Sequence, residues 1–321
     1  MTEMGELKPK ISIIGCGNVG MRYAYALIIR GLARQLVLVD TNKSRTEGEV
    51  MDLSHGAPYM SPVEIISADY PALAGSDLIV ITAGKKQESG QSRLDLVNAN
   101  VEIYKKIIPE VVKYAPSSII LVVSNPVDVL SYAAYKISGK PSKEVIGSGT
   151  VLDTARFRFL LSQHCDVDPH NIHAYILGEH GDSEFAVWST AMIGGVLFKD
   201  YCLICAKSNT CKHEEEFRSI FADVRDSAYR IIEKKGETSY GIGLALVRIT
   251  QAIINNENAV LPVSSLAAGY LGINDVYLSL PAIVNREGVR EILKIELNAQ
   301  EEKALKSSAQ AIKNVIKQAG L

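Results

Sequence analysis

Two groups of residues in this sequence have the types and spacing to do chemistry, one suited to phosphate and one to proton transfer. The first is Gly15-Cys-Gly-Asn-Val-Gly20, which directly follows the apolar run Lys10–Ile14 and opens a helical pattern at Asn18. Gly15 permits the tight turn, Gly17 lets a pyrophosphate approach the backbone, and Gly20 allows close helix packing. The helix start at Asn18 and Val19 presents unpaired N–H groups and partial positive charge to the phosphates. Asp40 ends the next apolar run, twenty residues after Gly20. Its carboxylate can accept from both ribose hydroxyls and would repel a 2′-phosphate, which favours NAD over NADP. A glycine-rich turn with no ligand would need neither the flanking strand and helix nor Asp40. Cys16, between the glycines, is read as fitting there, not reacting.

The second group is His180, inside Gly178-Glu-His-Gly-Asp-Ser183, with Asp153 and Arg156 on one predicted helix and Arg93 at the end of a glycine-bracketed loop. An imidazole titrates near working pH and can give or take a proton. Asp153 can accept from the other ring nitrogen, fixing the tautomer and favouring the imidazolium. Arg156 offers a planar fork that matches a substrate carboxylate, which Lys cannot do. Arg93 can polarise a carbonyl as the loop between Gly84 and Gly90 closes and expels water. Taken singly each has an ordinary explanation: an Asp–x–x–Arg pair is usually a surface ion pair of little worth. His55, His164, His170, His173 and His213 take the default of surface or satisfied core residues. Cys202, Cys205, Cys211 and His213 have spacings that zinc could use, but the tight paired ligands of a structural site are missing, so no metal is expected.

These residues need elements to hold them. In the first half, short continuous apolar runs (Lys10–Ile14, Gln35–Val39, Ser76–Thr82, Ser118–Val123) alternate with helical patterns at Asn18–Arg30 and Leu94–Tyr114. That is the signature of βαβ units and a parallel sheet covered on both faces. Gly31 should end the first helix, and Pro109 should kink or divide the long one. From Val151 the character changes. Helices are expected over Val151–His164, His213–Lys234, Gly241–Asn255 and from Ala299. Strands are expected near His173–Leu177, Glu184–Trp188, Val260–Val263, Val276–Leu280 and Ile292–Ile295, paired antiparallel. The fold class is therefore α/β: a Rossmann-type doubly wound parallel sheet over residues 1–149, and a second, α+β substrate domain over 150–321.

Ala83-Gly84, Gln87, Ser92–Val97, Ser124–Asp128, Gly149–Arg158, Gly178–Ser183 and Asn255–Pro262 together resemble the L-lactate/malate dehydrogenase family, over nearly the whole chain. The resemblance implies reversible hydride transfer between NAD and a 2-hydroxy acid, with His180, Asp153, Arg156 and Arg93 in the roles above. It also implies that Asn125 orients the carbonyl and the nicotinamide, and that Thr82, Ala83, Gly84 and Val123 line the cofactor. Ile242 packs the unreactive nicotinamide face and Thr238 borders the substrate methyl. Malate enzymes of the family usually carry Arg at position 87 to pair a second carboxylate. Neutral Gln87 would leave that charge unpaired in a closed pocket. The expected pair is therefore pyruvate and L-lactate, as in fermentative glycolysis. Glu88-Ser89 stands where Lys-Pro is frequent in the family, a departure that leaves room for bulkier 2-oxo acids. Arg158 and His173 match positions that bind fructose 1,6-bisphosphate in some bacterial members, and the family forms homotetramers. A non-catalytic relative would be expected to have lost His180, Asp153, Arg156 or Arg93, and all four are present.

The bulk numbers agree with this reading. The chain has 321 residues, 47% hydrophobic and 22% charged, with a net charge of −2. A chain this long can divide into two domains around one cleft. Near-neutral charge without a basic face argues against nucleic-acid or anionic-membrane partners. The charged N-terminus is unlike a signal peptide, no apolar run spans a bilayer, and the five cysteines are an odd number. A reducing cytoplasm is the expected compartment.

Overall fold

The structure is a computed structural model, and it describes residues 9–85, 93–204 and 213–321. The first half alternates strands and helices: β1 Lys10–Ile14, α1 Asn18–Ile29, β2 Gln35–Val39, α2 Lys43–His55, β3 Glu64–Ser67, β4 Leu78–Ile81, α3 Arg93–Tyr114, β5 Ile119–Val122, α4 Val127–Ser138 and β6 Val145–Gly147. The six strands run parallel in the order β3-β2-β1-β4-β5-β6, the doubly wound arrangement. Alternate side chains of one strand enter opposite cores. Ile79 and Ile81 join one cluster while Leu78 and Val80 join the other, and Ile120 and Val122 are likewise opposed to Ile119 and Leu121. Burial on both faces is why these strands read as unbroken apolar runs.

Gly31, at φ +62°, follows α1 as expected. Pro109 does not divide α3, which runs from Arg93 to Tyr114 with the proline inside it. The proline lies on the exposed face above exposed Lys105, whose unpaired carbonyl water can serve, while Ile107, Ile108 and Val111 anchor the buried face.

The second half comprises α5 Val151–Cys165, β7 Ile172–Leu177, β8 Phe185–Ile193, β9 Val196–Leu197, α6 Phe198–Ile204, α7 His213–Lys235, α8 Tyr240–Ile254, β10 Ala259–Tyr270, β11 Ile273–Asn285, β12 Gly288–Ile292 and α9 Ala299–Gln318. Strands β7, β8 and β9 form a small antiparallel sheet. It is backed by an aromatic cluster in which Trp188 meets Phe157 edge-on at 4.9 Å and stacks on Phe217 at 4.8 Å. Strands β10, β11 and β12 pair antiparallel, as their patterning predicts. Their further placement is not visible in the pattern. Ser264 of β10 pairs with Gly147 of β6, so the late ladder extends the first sheet to nine strands among the described residues. The last of the expected strands is also shifted, since β12 ends at Ile292, where the sequence suggested it would begin.

Candidate active site

At the cofactor end the three glycines do different work. Gly15 sits at φ +104°, and a Cβ there would lie 2.7 Å from Ala83 Cα. A Cβ on Gly20 would lie 2.8 Å from Thr82 Oγ1. The protein itself therefore requires both, because β1 and β4 leave no space between their ends. A Cβ on Gly17 would meet no other residue within 4 Å. That open face, at the N-cap of α1, is the cradle a pyrophosphate needs. Asp40 is held beside it, its Oδ2 accepting from Cys16 N at 2.7 Å and its Oδ1 from Asn42 N at 2.9 Å. These residues fit a dinucleotide.

The strand ends continue the groove. Thr82 Oγ1 donates to Gly15 O at 2.5 Å, and Ser124 Oγ donates to Ala83 O at 2.5 Å, tying the turns after β1, β4 and β5 together. Val123 is nearly buried at the end of β5, and Gly84 packs against Ser124. Fully buried Asn100 on α3 was given no role by sequence reasoning. It accepts from Lys85 N at 2.7 Å and donates to Asn125 O at 2.8 Å, tying Lys85 to Asn125. Val19 and Ile242 pack on the same core, where α1 and α8 meet, and Thr238 lies half-buried just before α8.

The acid/base group is assembled from the turn after β7 and from helix α5. His180 lies in the turn between β7 and β8, and its Nδ1 meets Asp153 Oδ2 of α5 at 2.6 Å. Arg156, one turn along α5, donates from Nη1 to Asp153 Oδ1 at 2.7 Å. Burial opposes a charge on His180, but Asp153, with Glu184 and Asp128, outweighs it and raises the imidazole pKa to about 9. Burial also opposes ionisation of Asp153, yet His180 and Arg156 together hold its carboxyl below the ordinary range.

The backbone of the turn is pinned independently. Gly178 exchanges two hydrogen bonds with Ser279 of β11, at 3.1 and 2.8 Å. Ser308 of α9 accepts from Glu179 N at 2.6 Å, and His180 N donates to Asp128 Oδ2 of α4 at 2.8 Å. Asp128 is almost fully buried, and Ser264 Oγ donates to its other oxygen at 2.5 Å. Burial pushes its pKa up to about 6, against the pull of those two hydrogen bonds. Asp128 belongs to a segment that carried the family resemblance but had no assigned role. An acid flanked by Val127 and Val129 at a helix start was the available signal.

Glu184 was also missed. It is nearly buried, and its carboxylate lies within 4.8 Å of ligand atoms of both Asp153 and His180. These three have the donor types of a metal site, but the guanidinium of Arg156 already occupies Asp153, which favours a proton-transfer group over a cation site.

Gln87 lies outside the described residues, as do Cys205 and Cys211. Arg93 opens α3, with its side chain also outside them. Cys202 is buried among Phe157, Phe198 and Leu161. Arg158 is half-buried on α5, donating to Ala174 O at 3.1 Å and lying over the Tyr175 ring, while His173 is exposed on the same strand β7.

A phosphate cradle at the switch point of a doubly wound sheet, together with a His–Asp–Arg chain, defines an NAD-dependent dehydrogenase. Residues 9–147 match the family described as lactate/malate dehydrogenase, NAD binding domain, and residues 150–320 match its alpha/beta C-terminal domain. The chain belongs to the lactate/malate dehydrogenase family. It is 51% identical to L-lactate dehydrogenase 1 of Clostridium acetobutylicum, over 95% of this chain and 96% of that one. It is also 51% identical to the L-lactate dehydrogenase of a Thermoanaerobacter species, over 96% and 98%. Among solved structures, a lactate dehydrogenase from a Medee basin deep-sea metagenome superimposes with a TM-score of 0.93 at 44% identity, covering 98% of this chain and 99% of that one. The minor L-lactate dehydrogenase of Enterococcus mundtii does so with 0.92 at 41% identity, covering 97% and 98%.

Proposed function

We propose that the protein is an L-lactate dehydrogenase, interconverting pyruvate and L-lactate, with residues 1–149 binding NAD and residues 150–321 carrying most of the substrate site. The observation that carries this reading is the hydrogen-bonded chain Arg156–Asp153–His180. The bound dinucleotide supplies or accepts the hydride at C2. Arg156 spends one N–H on Asp153 and presents the remainder of its fork to the substrate carboxylate. His180, donating Nδ1–H to Asp153, points its other nitrogen at the C2 oxygen. In reduction the proton on that nitrogen passes to the forming hydroxyl; in oxidation the neutral ring takes it back. Arg93 polarises the same oxygen, and Asn125 and Thr238 bound the pocket.

Neutral Gln87 and the named relatives both favour pyruvate over oxaloacetate. We further assign the enzyme to the cytoplasm, as a homotetramer with Arg158 and His173 as candidate contacts for fructose 1,6-bisphosphate. No helix among the described residues is long and apolar enough to cross a membrane.

The test is NADH consumption with pyruvate and with oxaloacetate, each with and without fructose 1,6-bisphosphate. A large kcat/KM advantage for pyruvate is expected. Faster oxaloacetate turnover would keep the His–Asp–Arg chemistry and overturn the assignment of Gln87.

A further inference from the structure

Glu184 is a buried carboxyl group that the acid/base chemistry above leaves unused. It is 7% exposed and stands in the turn that carries His180. No hydrogen bond reaches its side chain from the described residues, although Asp153 and His180 both lie within 4.8 Å. An ionised carboxylate so placed would be costly, because it adds a second negative charge beside Asp153 with little water to solvate it. Burial and the charge of Asp153 accordingly raise its pKa to about 8, while His180, Arg156 and Arg225 of α7 oppose the rise.

The charges around it can be counted by element. Helix α5 supplies Asp153 and Arg156, which neutralise each other. Helix α4 supplies Asp128, which acts on His180, and α7 supplies Arg225, which is exposed and paired with Asp226. The turn itself carries Glu179, His180 and Asp182. Asp128 already accepts from His180 N and Ser264 Oγ, and Glu179 from Ser183 Oγ, which leaves Glu184 as the carboxyl group beside His180 with no hydrogen bond from the described residues. When His180 is charged, an ionised Glu184 makes the pair neutral. When His180 has given up its proton, the pair is neutral only if Glu184 holds one.

Resting on the dehydrogenase reading above, we infer that Glu184 is a positioning residue that titrates jointly with His180 above neutral pH, its ionised form holding the proton on the imidazole and its protonated form easing that proton's loss. Asp153 then fixes the geometry of the imidazole and supplies the larger part of its raised pKa, and Glu184 adds to it. The ionisations between neutral and alkaline pH belong to the pair and not to the histidine alone.

The experiment compares Glu184→Gln and Glu184→Asp with the wild-type enzyme. His180 ionisation is read from the pH dependence of its modification by diethyl pyrocarbonate, which attacks neutral imidazole, followed by mass on the peptide containing His180. In parallel, kcat/KM for pyruvate is profiled against pH. The glutamine variant keeps the shape and loses the charge, so the His180 midpoint should fall by roughly one pH unit, and the alkaline limb of pyruvate reduction with it. The aspartate variant should restore most of that shift. Coincident midpoints in the wild-type and glutamine proteins would overturn the coupling, as would an equal loss of activity at every pH. A wild-type protein that reduces no pyruvate would instead overturn the substrate reading, and the modification midpoints would still decide the coupling.

Discussion

His180 is kept protonated by a carboxylate held by an arginine, and the pH behaviour follows. Its raised pKa, about 9, means that the imidazolium needed for pyruvate reduction persists through neutral pH and is lost as pH rises through that value. Reduction should therefore decline across that range while lactate oxidation, which needs the neutral ring, rises; opposite limbs in steady-state profiles would check this. Asp153→Asn removes the charge that sustains the imidazolium. We expect the alkaline limb of reduction to move to lower pH and kcat to fall roughly 10²–10⁴-fold. Unchanged profiles would remove Asp153 from the couple. Arg156→Lys keeps a positive charge but loses the fork, so KM for pyruvate should rise on the order of 10–10²-fold while NADH binding is unaffected.

At this scale the sequence was legible wherever a residue type announces its chemistry, as with His180, Asp153, Arg156 and Asp40. It was silent on Asn100, Asp128 and Glu184. Their roles depend on burial and on partners far away in sequence, such as Ser264 against Asp128, and neither can be read from spacing.

The elements were legible where the periodic signal is strong. The continuous apolar strands and the β1–α1 turn stand as patterned, because each records a local requirement of burial or backbone conformation. The junction of β10 with β6 was not, because Ser264 and Gly147 carry no mark of each other. The turn after β1 supports a prediction that separates folding from cofactor binding. Gly15→Ala forces a side chain onto Ala83 at a positive φ and should lower Tm by several degrees. Gly17→Ala meets no protein atom, so Tm should barely move. The added methyl would stand where the pyrophosphate lies, and the Kd for NADH should rise about tenfold or more. Thermal melts and NADH fluorescence titrations on both variants decide it. Equal NADH affinity in Gly17→Ala and wild type would mean that the phosphates do not lie over this turn.

The whole molecule carries apolar side chains that its own fold does not cover. Tyr25 and Ile29 project from α1, Met51 from α2 and Leu244 from α8, and Ile29 and Leu244 are 64% and 57% exposed. Helices α1 and α8 pack on each other, so three of these residues belong to neighbouring elements and not to scattered sites. Single exposed apolar residues are ordinary, but several on adjoining helices are the composition of a subunit interface. Such an interface would explain why α8, which packs on α1, has an apolar outer face. The expected mass by light scattering is four times that of the chain. Ile29→Glu combined with Leu244→Glu should lower it, because two charges would be buried without partners in each contact. Activity should fall with the mass if assembly steadies α1 and α8 around the cofactor. A wild-type protein that is monomeric and fully active would refute the assembly and leave the apolar faces of these helices unexplained.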